Sequence, residues 1–220
     1  MGRAVARPGV LEIGAGNGRV TAGLVDQGIG PIDAVEPSQA MVDRAPPLAG
    51  VRWIVDTFED APLDGPYGLA VAGESIHWTD WPVAFPKLAA LLADGAVLAV
   101  VGLLESGIDR GRPGSQPWLA AVQAVIDEFA TSKDYVPYDL PAELRDRGHW
   151  TELGVHRTAW QPRSQTVDDV VRRYHSMNGL SPEAMGASVA PFDAALEPHV
   201  LDGVLHCEVA GEVRWGRPLP

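Results

Sequence analysis

The chain has 220 residues, 46% hydrophobic and 21% charged, enough apolar side chain for one sizeable α/β core without staples. Its formal net charge of −12 excludes the basic face that nucleic acid requires and opposes docking on anionic membranes. The single cysteine, Cys207, excludes an intrachain disulfide and a cysteine-based zinc site, and no run approaches the ~18 apolar residues of a bilayer span. The opening MGRAVARPG is too short for a secretory signal, so a cytoplasmic protein is expected.

The first predicted strand, about 9–14, runs into three alternate glycines, Gly14, Gly16 and Gly18. A predicted helix of about 17–27 follows, with Val20, Leu24 and Val25 at helical spacing. In a strand, glycine turn and helix, the backbone bends sharply, approaches a ligand closely and aims free N–H groups at it. A dinucleotide fingerprint would place a small residue where this chain has Arg19. Glu12 lies inside the otherwise apolar strand, where a carboxylate is costly unless something cationic or donor-rich meets it. Glu36 ends the next apolar run, about 32–36, where an acidic side chain can take the two hydroxyls of a ribose.

Ser38 is a predicted helix cap, with Met41, Val42 and Ala45 on one face and Pro46 and Pro47 as the stop. Strands of about 51–55, 67–72 and 96–103 and a helix of about 82–92 complete three strand–helix–strand repeats. These predict a parallel sheet with right-handed crossovers. Ligands of such sheets sit at the carboxyl ends of the strands, and Glu12–Gly18, Glu36, Asp56 and Glu74–Trp78 all fall there. Further on, helices are predicted at about 117–130, 141–147, 167–176 and from 181, and strands at about 151–160 and 204–214.

The segments LEIGAGNG, AVEPSQAMVDRA, VDTFEDAPL and YGLAVAGESIHWTDW, in this order, resemble the class I S-adenosylmethionine-dependent methyltransferases. They are most similar to the small-molecule group that includes trans-aconitate and malonyl-carrier-protein methyltransferases. The resemblance covers residues 8–103 well and the remainder more loosely. It implies a Rossmann-like three-layer α/β sandwich: a seven-stranded mixed sheet, mostly parallel with the last strand antiparallel, and helices on both faces. It implies one domain over residues 1–220, in which 104–200 carries the substrate-side helices. The cofactor it implies is S-adenosyl-L-methionine, with S-adenosyl-L-homocysteine as product.

By the same resemblance the cofactor-binding positions are Glu12, Gly14, Ala15, Gly16, Asn17, Gly18, Glu36, Pro37, Met41, Asp56, Thr57, Glu74 and Ser75. Asp56 would accept from the adenine amino group, although it also reads as an ordinary loop carboxylate. Members of the group usually carry one or two covering helices ahead of the glycine turn, whereas here the first strand begins almost at once. Either that cover is missing, or another segment or subunit supplies it, or the natural chain starts earlier.

Methyl transfer from a sulfonium is an in-line displacement, so holding two reactants in line can supply ~7–11 kcal/mol of the barrier. A base is needed only if the acceptor must lose a proton. His77 is the candidate base, or else it packs its loop. Trp78 and Trp81 can wall a substrate pocket or belong to the core, and Tyr174, His175 and Asn178 can face the acceptor or solvent. Arg110 and Arg112 can hold a carboxylate or stand in a solvated loop. The remaining histidines have no ligand spacing, so no metal is expected.

The expected partner is a small-molecule methyl acceptor, with no nucleic acid and no membrane, in a monomer or a homodimer. Two rival readings stay open. One keeps cofactor binding without transfer, as in a cyclase-like enzyme or a regulator. The other is a nicotinamide dehydrogenase, opposed by Arg19 and by the lack of a Tyr-x-x-x-Lys pair.

Overall fold

The computed structural model describes residues 9–105, 139–175 and 189–220, together with Trp118 and Ala124. Its backbone divides into two compact units, one of residues 1–102, 139–157 and 212–220 and the other of 103–138 and 158–211.

The first unit is built on strands β1 (Gly9–Ile13), β2 (Ile32–Val35), β3 (Val51–Ile54), β4 (Tyr67–Gly73), β5 (Leu92–Glu105), β6 (Trp150–Arg157) and the second half of β8 (Leu205–Pro218). Their order across the sheet is β3-β2-β1-β4-β5-β8-β6. β1 pairs in parallel with both β2 and β4, and the β2–β3 and β4–β5 pairs are parallel too. β8 runs antiparallel to β6. The chain therefore builds outward from β1 in one direction through β2 and β3, then returns to its other side with β4. The reversal opens a crevice at the carboxyl end of β1, the place where sheets of this kind receive ligands.

Strand pleating sends alternate side chains to opposite faces. Leu11, Ile13, Ala70, Ala72, Leu98 and Val100 pack with Phe85 and Leu88 of α3 (Trp81–Leu91) and Leu144 of α4 (Leu140–Asp146). On the opposite face Val10, Ala34, Val71 and Ala99 pack with Val20, Leu24 and Val25 of α1 (Arg19–Asp26). This is the expected mixed α/β sandwich, and the helices on its two faces exclude water from β1 almost completely.

The second unit contains β7 (Gln161–Gln165), α5 (Val167–His175) and α6 (Val189–Leu196). β7 is antiparallel to the first half of β8, and Trp118, Val170, Leu196, Leu205 and Cys207 form the buried cluster there. Thr166 caps α5 as its position before Val167 suggests: its Oγ1 accepts from the Asp169 N–H at 3.1 Å.

Several expectations are corrected. α1 starts at Arg19 rather than Asn17 because the glycine turn occupies Gly16–Gly18, with Gly18 at φ 81. Ser38 precedes α2 (Gln39–Val42) without a side-chain cap bond; its N–H instead donates to Glu36 Oε1 at 2.9 Å. β5 begins at Leu92, earlier than the pattern predicts, because Leu92 pairs with Tyr67 while Val97 pairs with Leu69. The residues between them loop out, with Gly95 at φ 80. β7, reading QPRSQ, has no apolar alternation, and Pro162 suits only a strand edge. The predicted 117–130 helix, Arg110, Arg112 and Asn178 lie outside the described residues apart from Trp118 and Ala124.

Candidate active site

The glycine turn at the end of β1 adopts a conformation that L side chains resist. Gly14, Gly16 and Gly18 have φ of 67, 57 and 81, all left-handed, where a Cβ costs roughly 1–2 kcal/mol. What surrounds each glycine differs. A Cβ on Gly14 would collide with the Cβ of Ser75. One on Gly18 would stand 3.1 Å from the Trp53 ring. One on Gly16 would meet only the Met41 methyl, at 3.7 Å. The bare backbone at 14 and 18 thus admits the chain's own side chains, and Gly16 is the position open to a ligand.

Two carboxylates flank this turn. Glu36, directly after β2, is buried; its Oε2 accepts from the Gly16 N–H at 2.8 Å and its Oε1 from the Ser38 N–H at 2.9 Å. Each oxygen keeps a further lone pair for a donor. Glu12, on β1, is 1% exposed. Its cross-strand neighbours are Ala34 and Val71, so nothing cationic stands beside it in the sheet. Burial pushes its carboxyl up to about 7, and its Oε2 has no hydrogen-bond partner. Thr21 of α1 approaches with its hydroxyl and backbone N–H and offsets part of that rise, yet Thr21 Oγ1 completes no hydrogen bond either.

The loop after β4 closes the other side. Glu74 adopts φ 52, and its N–H donates to Val101 O at 3.0 Å. Ser75 is buried and its hydroxyl donates to Ile13 O, tying this loop to the end of β1. His77 and Trp78 belong to a single 3-10 turn, Ile76–Trp78. His77 is half-buried, and desolvation lowers its imidazole below the usual value, with Glu74 opposing part of the drop. The ring is therefore neutral at pH 7 and able to accept a proton. Trp78 is 72% exposed with its ring centroid 5.0 Å from that of His77.

Residues 10–95 match the family model of a methyltransferase domain. Over 95 residues the chain is 35% identical to uncharacterised methyltransferases of Mycobacterium bovis and Mycobacterium tuberculosis, which covers 42% of this chain and 38% of each relative. The match therefore spans well under half the length of those relatives.

In fold, a candidate type II methyltransferase from Anaeromyxobacter dehalogenans matches 99% of this chain and 92% of its own, at TM-score 0.65 and 23% identity. The YcgJ protein of Bacillus subtilis matches 98% and 94%, at TM-score 0.55 and 15% identity. The expected Rossmann-like α/β fold is borne out, and the matched stretch is similar to a methyltransferase domain.

Within the methyltransferase domain, the structure brings Gly16, Glu36 and Met41 together, and sets Ser75 against Gly14. Ala15 is buried and its N–H donates to Val35 O at 2.9 Å; Asn17 lies within the turn. Pro37 is exposed between Glu36 and Ser38. Asp56, after β3, turns its Oδ1 back to the Thr57 N–H at 2.9 Å, and the Thr57 hydroxyl is engaged with Asp60.

Trp81 does not stand with Trp78 as a second pocket wall. It is 7% exposed, donates from Nε1 to Ile76 O at 2.9 Å and packs edge-on to Phe85. Tyr174 lies on α5 in the second unit, and its side chain is outside the described part. Sequence reasoning missed Thr21 and Trp53. An apolar-faced helix gives no sign that its hydroxyl lies buried without a hydrogen-bond partner, and a strand tryptophan gives none that it lies on a glycine. No helix among the described residues is long and apolar enough to cross a membrane, and no group of three metal-binding side chains occurs among them.

Proposed function

We propose that this chain is an S-adenosylmethionine-dependent methyltransferase acting on an O, N or C atom of a small molecule, with S-adenosylhomocysteine as product. The observation that carries this reading is the hydrogen bond from Gly16 N–H to Glu36 Oε2. It fastens a carboxylate beside the one turn glycine whose face is open, which supports a ribose-binding role for Glu36. The orphaned Glu12 Oε2 fits the group as well, since the cofactor's ammonium would supply the cation that the strand lacks.

S-adenosylmethionine brings a methyl group on a sulfonium, already activated for displacement. The chain's residues then bind and orient. Glu36 would offer its remaining lone pairs to the ribose hydroxyls, and Glu12 would hold the ammonium. His77, kept neutral by burial, can accept a proton from the acceptor. Trp78 presents an exposed ring beside it on which a flat or apolar acceptor can rest. The net charge of −12 supports a cytoplasmic enzyme of small molecules over a nucleic-acid or membrane enzyme.

Calorimetry with S-adenosylmethionine and with NAD, followed by transfer of a radiolabelled methyl to a panel of acids, phenols and amines, tests the proposal. Binding of the first ligand and label in one class of acceptor supports it. Binding of NAD alone overturns it. Bound cofactor with no label transferred favours a cyclase-like enzyme or a regulator instead.

A further inference from the structure

The loop after β4 is held at both of its ends by long-range hydrogen bonds. At its start the Ser75 hydroxyl donates to Ile13 O, which joins the loop to the glycine turn. At its finish the Asp80 N–H donates to Glu59 Oε1 at 2.6 Å, which joins it to the loop after β3. His77 and Trp78 stand between these ties, in a turn closed by the Trp78 N–H on Ser75 O at 2.9 Å.

The second tie is not the one that the local sequence would make. Asp80 is the N-cap of α3 and of a type that usually caps with its own side chain, yet it makes no side-chain cap bond. In a capping box, the carboxyl group that takes the N-cap N–H comes from the third residue of the helix. That residue is Val83, and Glu59, 21 residues before Asp80, supplies the carboxylate instead. A helix capped from within its own first turn is held only to itself. Capped by Glu59, α3 and the loop before it are fastened to the carboxyl end of β3.

The backbone that carries Glu59 is fixed independently of its side chain. Lys87 of α3 donates from Nζ to Glu59 O at 2.9 Å and to Ala61 O at 2.8 Å. The same Nζ stands 5.4 Å from the centroid of the buried Phe58 ring, and the Ala61 N–H donates to Thr57 O at 2.9 Å. Loss of the Glu59 side chain therefore releases Asp80 while the loop with Asp56 and Thr57 keeps its place.

We propose that Glu59 is a positioning residue for the acceptor surface: by holding the Asp80 N–H, its carboxylate sets the turn that presents Trp78. The inference rests on the reading above that Trp78 meets the methyl acceptor. Glu59 touches neither cofactor nor acceptor in this role; it acts through the loop that it clamps.

The test uses the whole chain labelled with 5-fluorotryptophan, in which the Trp78 fluorine signal is identified by its loss in Trp78→Phe. Without ligand, Glu59→Ala shifts or broadens the Trp78 signal, and Glu59→Gln, whose amide oxygen still accepts, restores it. Calorimetry with S-adenosylhomocysteine finds Glu59→Ala within about twofold of the unaltered chain. With the acceptor that takes up labelled methyl, Glu59→Ala raises KM about three- to tenfold, the loss of one hydrogen bond to a charged group partly open to water. Glu59→Gln restores that too. An unaltered Trp78 signal in Glu59→Ala overturns the proposal, as does a Glu59→Gln chain that behaves like Glu59→Ala. A loss of S-adenosylhomocysteine affinity as large as the rise in KM also overturns it, because Glu59 would then serve the cofactor side. If the unaltered chain binds no S-adenosylhomocysteine, the cofactor reading falls, and the ligand-free fluorine signal still decides whether Glu59 sets Trp78.

Discussion

Glu36 Oε2 and the Gly16 N–H lie 2.8 Å apart, so the carboxylate after β2 is fastened to the turn after β1. The bond joins the groups expected to hold the two parts of one nucleoside, and it fixes the carboxylate before any ligand arrives. Preorganisation of this kind reduces the ordering cost of binding. Glu36→Ala should weaken S-adenosylhomocysteine by ~1–3 kcal/mol, the usual loss for charged hydrogen bonds. It should also lower the melting temperature, because the Gly16 and Ser38 N–H groups both lose their acceptor. Calorimetry and thermal unfolding read the two effects, and unchanged affinity would remove Glu36 from the ribose role.

The three turn glycines should differ when replaced. Gly14→Ala pays the left-handed penalty and drives its methyl into the Ser75 side chain, which is itself fixed to Ile13 O. Gly16→Ala pays the same backbone cost but meets only the Met41 methyl, the end of a flexible side chain. Chemical denaturation should therefore show Gly14→Ala as the more destabilised, by ~1–3 kcal/mol over Gly16→Ala. Ligand affinity should rank them the other way among the chains that fold, because Gly16 is the open face.

Much of this site is legible in the sequence, since it depends on short-range order. Alternate glycines after VLEI and an acid closing IDAV need no tertiary information to be placed at neighbouring strand ends. What the sequence conceals is which neighbour each residue meets. Trp53 reads as a strand residue and Ser75 as a loop residue, yet they fill the space beside Gly18 and Gly14. Trp78 and Trp81 are three positions apart, and only the path of the turn sends one outward and one into the core. β7 is hidden for another reason: an edge strand reading QPRSQ carries none of the periodic apolar signal on which strand prediction rests.

Glu12 should make the fold's stability depend on pH in an unusual direction for a carboxylate. Its ordinary value of 4.5 is raised to about 7 by burial. Between these values the folded chain retains a proton that the unfolded chain has released. This contribution is therefore fully present below pH 4.5, declines as pH rises through the window and is gone above about 7. A shift of this size corresponds to about 3 kcal/mol. Glu12→Gln, which stays neutral, should flatten the slope and leave the chain more stable than the original at pH 8, while S-adenosylhomocysteine binding is lost. Urea titrations at pH 5, 6, 7 and 8 would show it; equal slopes for both chains would mean that Glu12 is ionised throughout.

Trp78 and Trp81 offer the sharpest separation of surface from core. Trp81 packs edge-on to Phe85 and His149, lies under the Arg147 guanidinium and donates to Ile76 O at 2.9 Å. Its removal as Trp81→Ala should cost ~3–5 kcal/mol of folding stability. Trp81→Phe should recover most of that while losing the indole hydrogen bond, worth about 1 kcal/mol. Trp78, 72% exposed, sets its ring against that of its neighbour His77. Trp78→Ala should leave stability within ~0.5 kcal/mol and S-adenosylhomocysteine affinity unchanged. It should raise KM for the acceptor, because the exposed ring is free to meet the acceptor and is not needed to hold the sheet. A Trp78→Ala chain that unfolds at the same denaturant concentration as Trp81→Ala would show that both rings serve the core, and the acceptor surface would have to be sought elsewhere in the loop after β4.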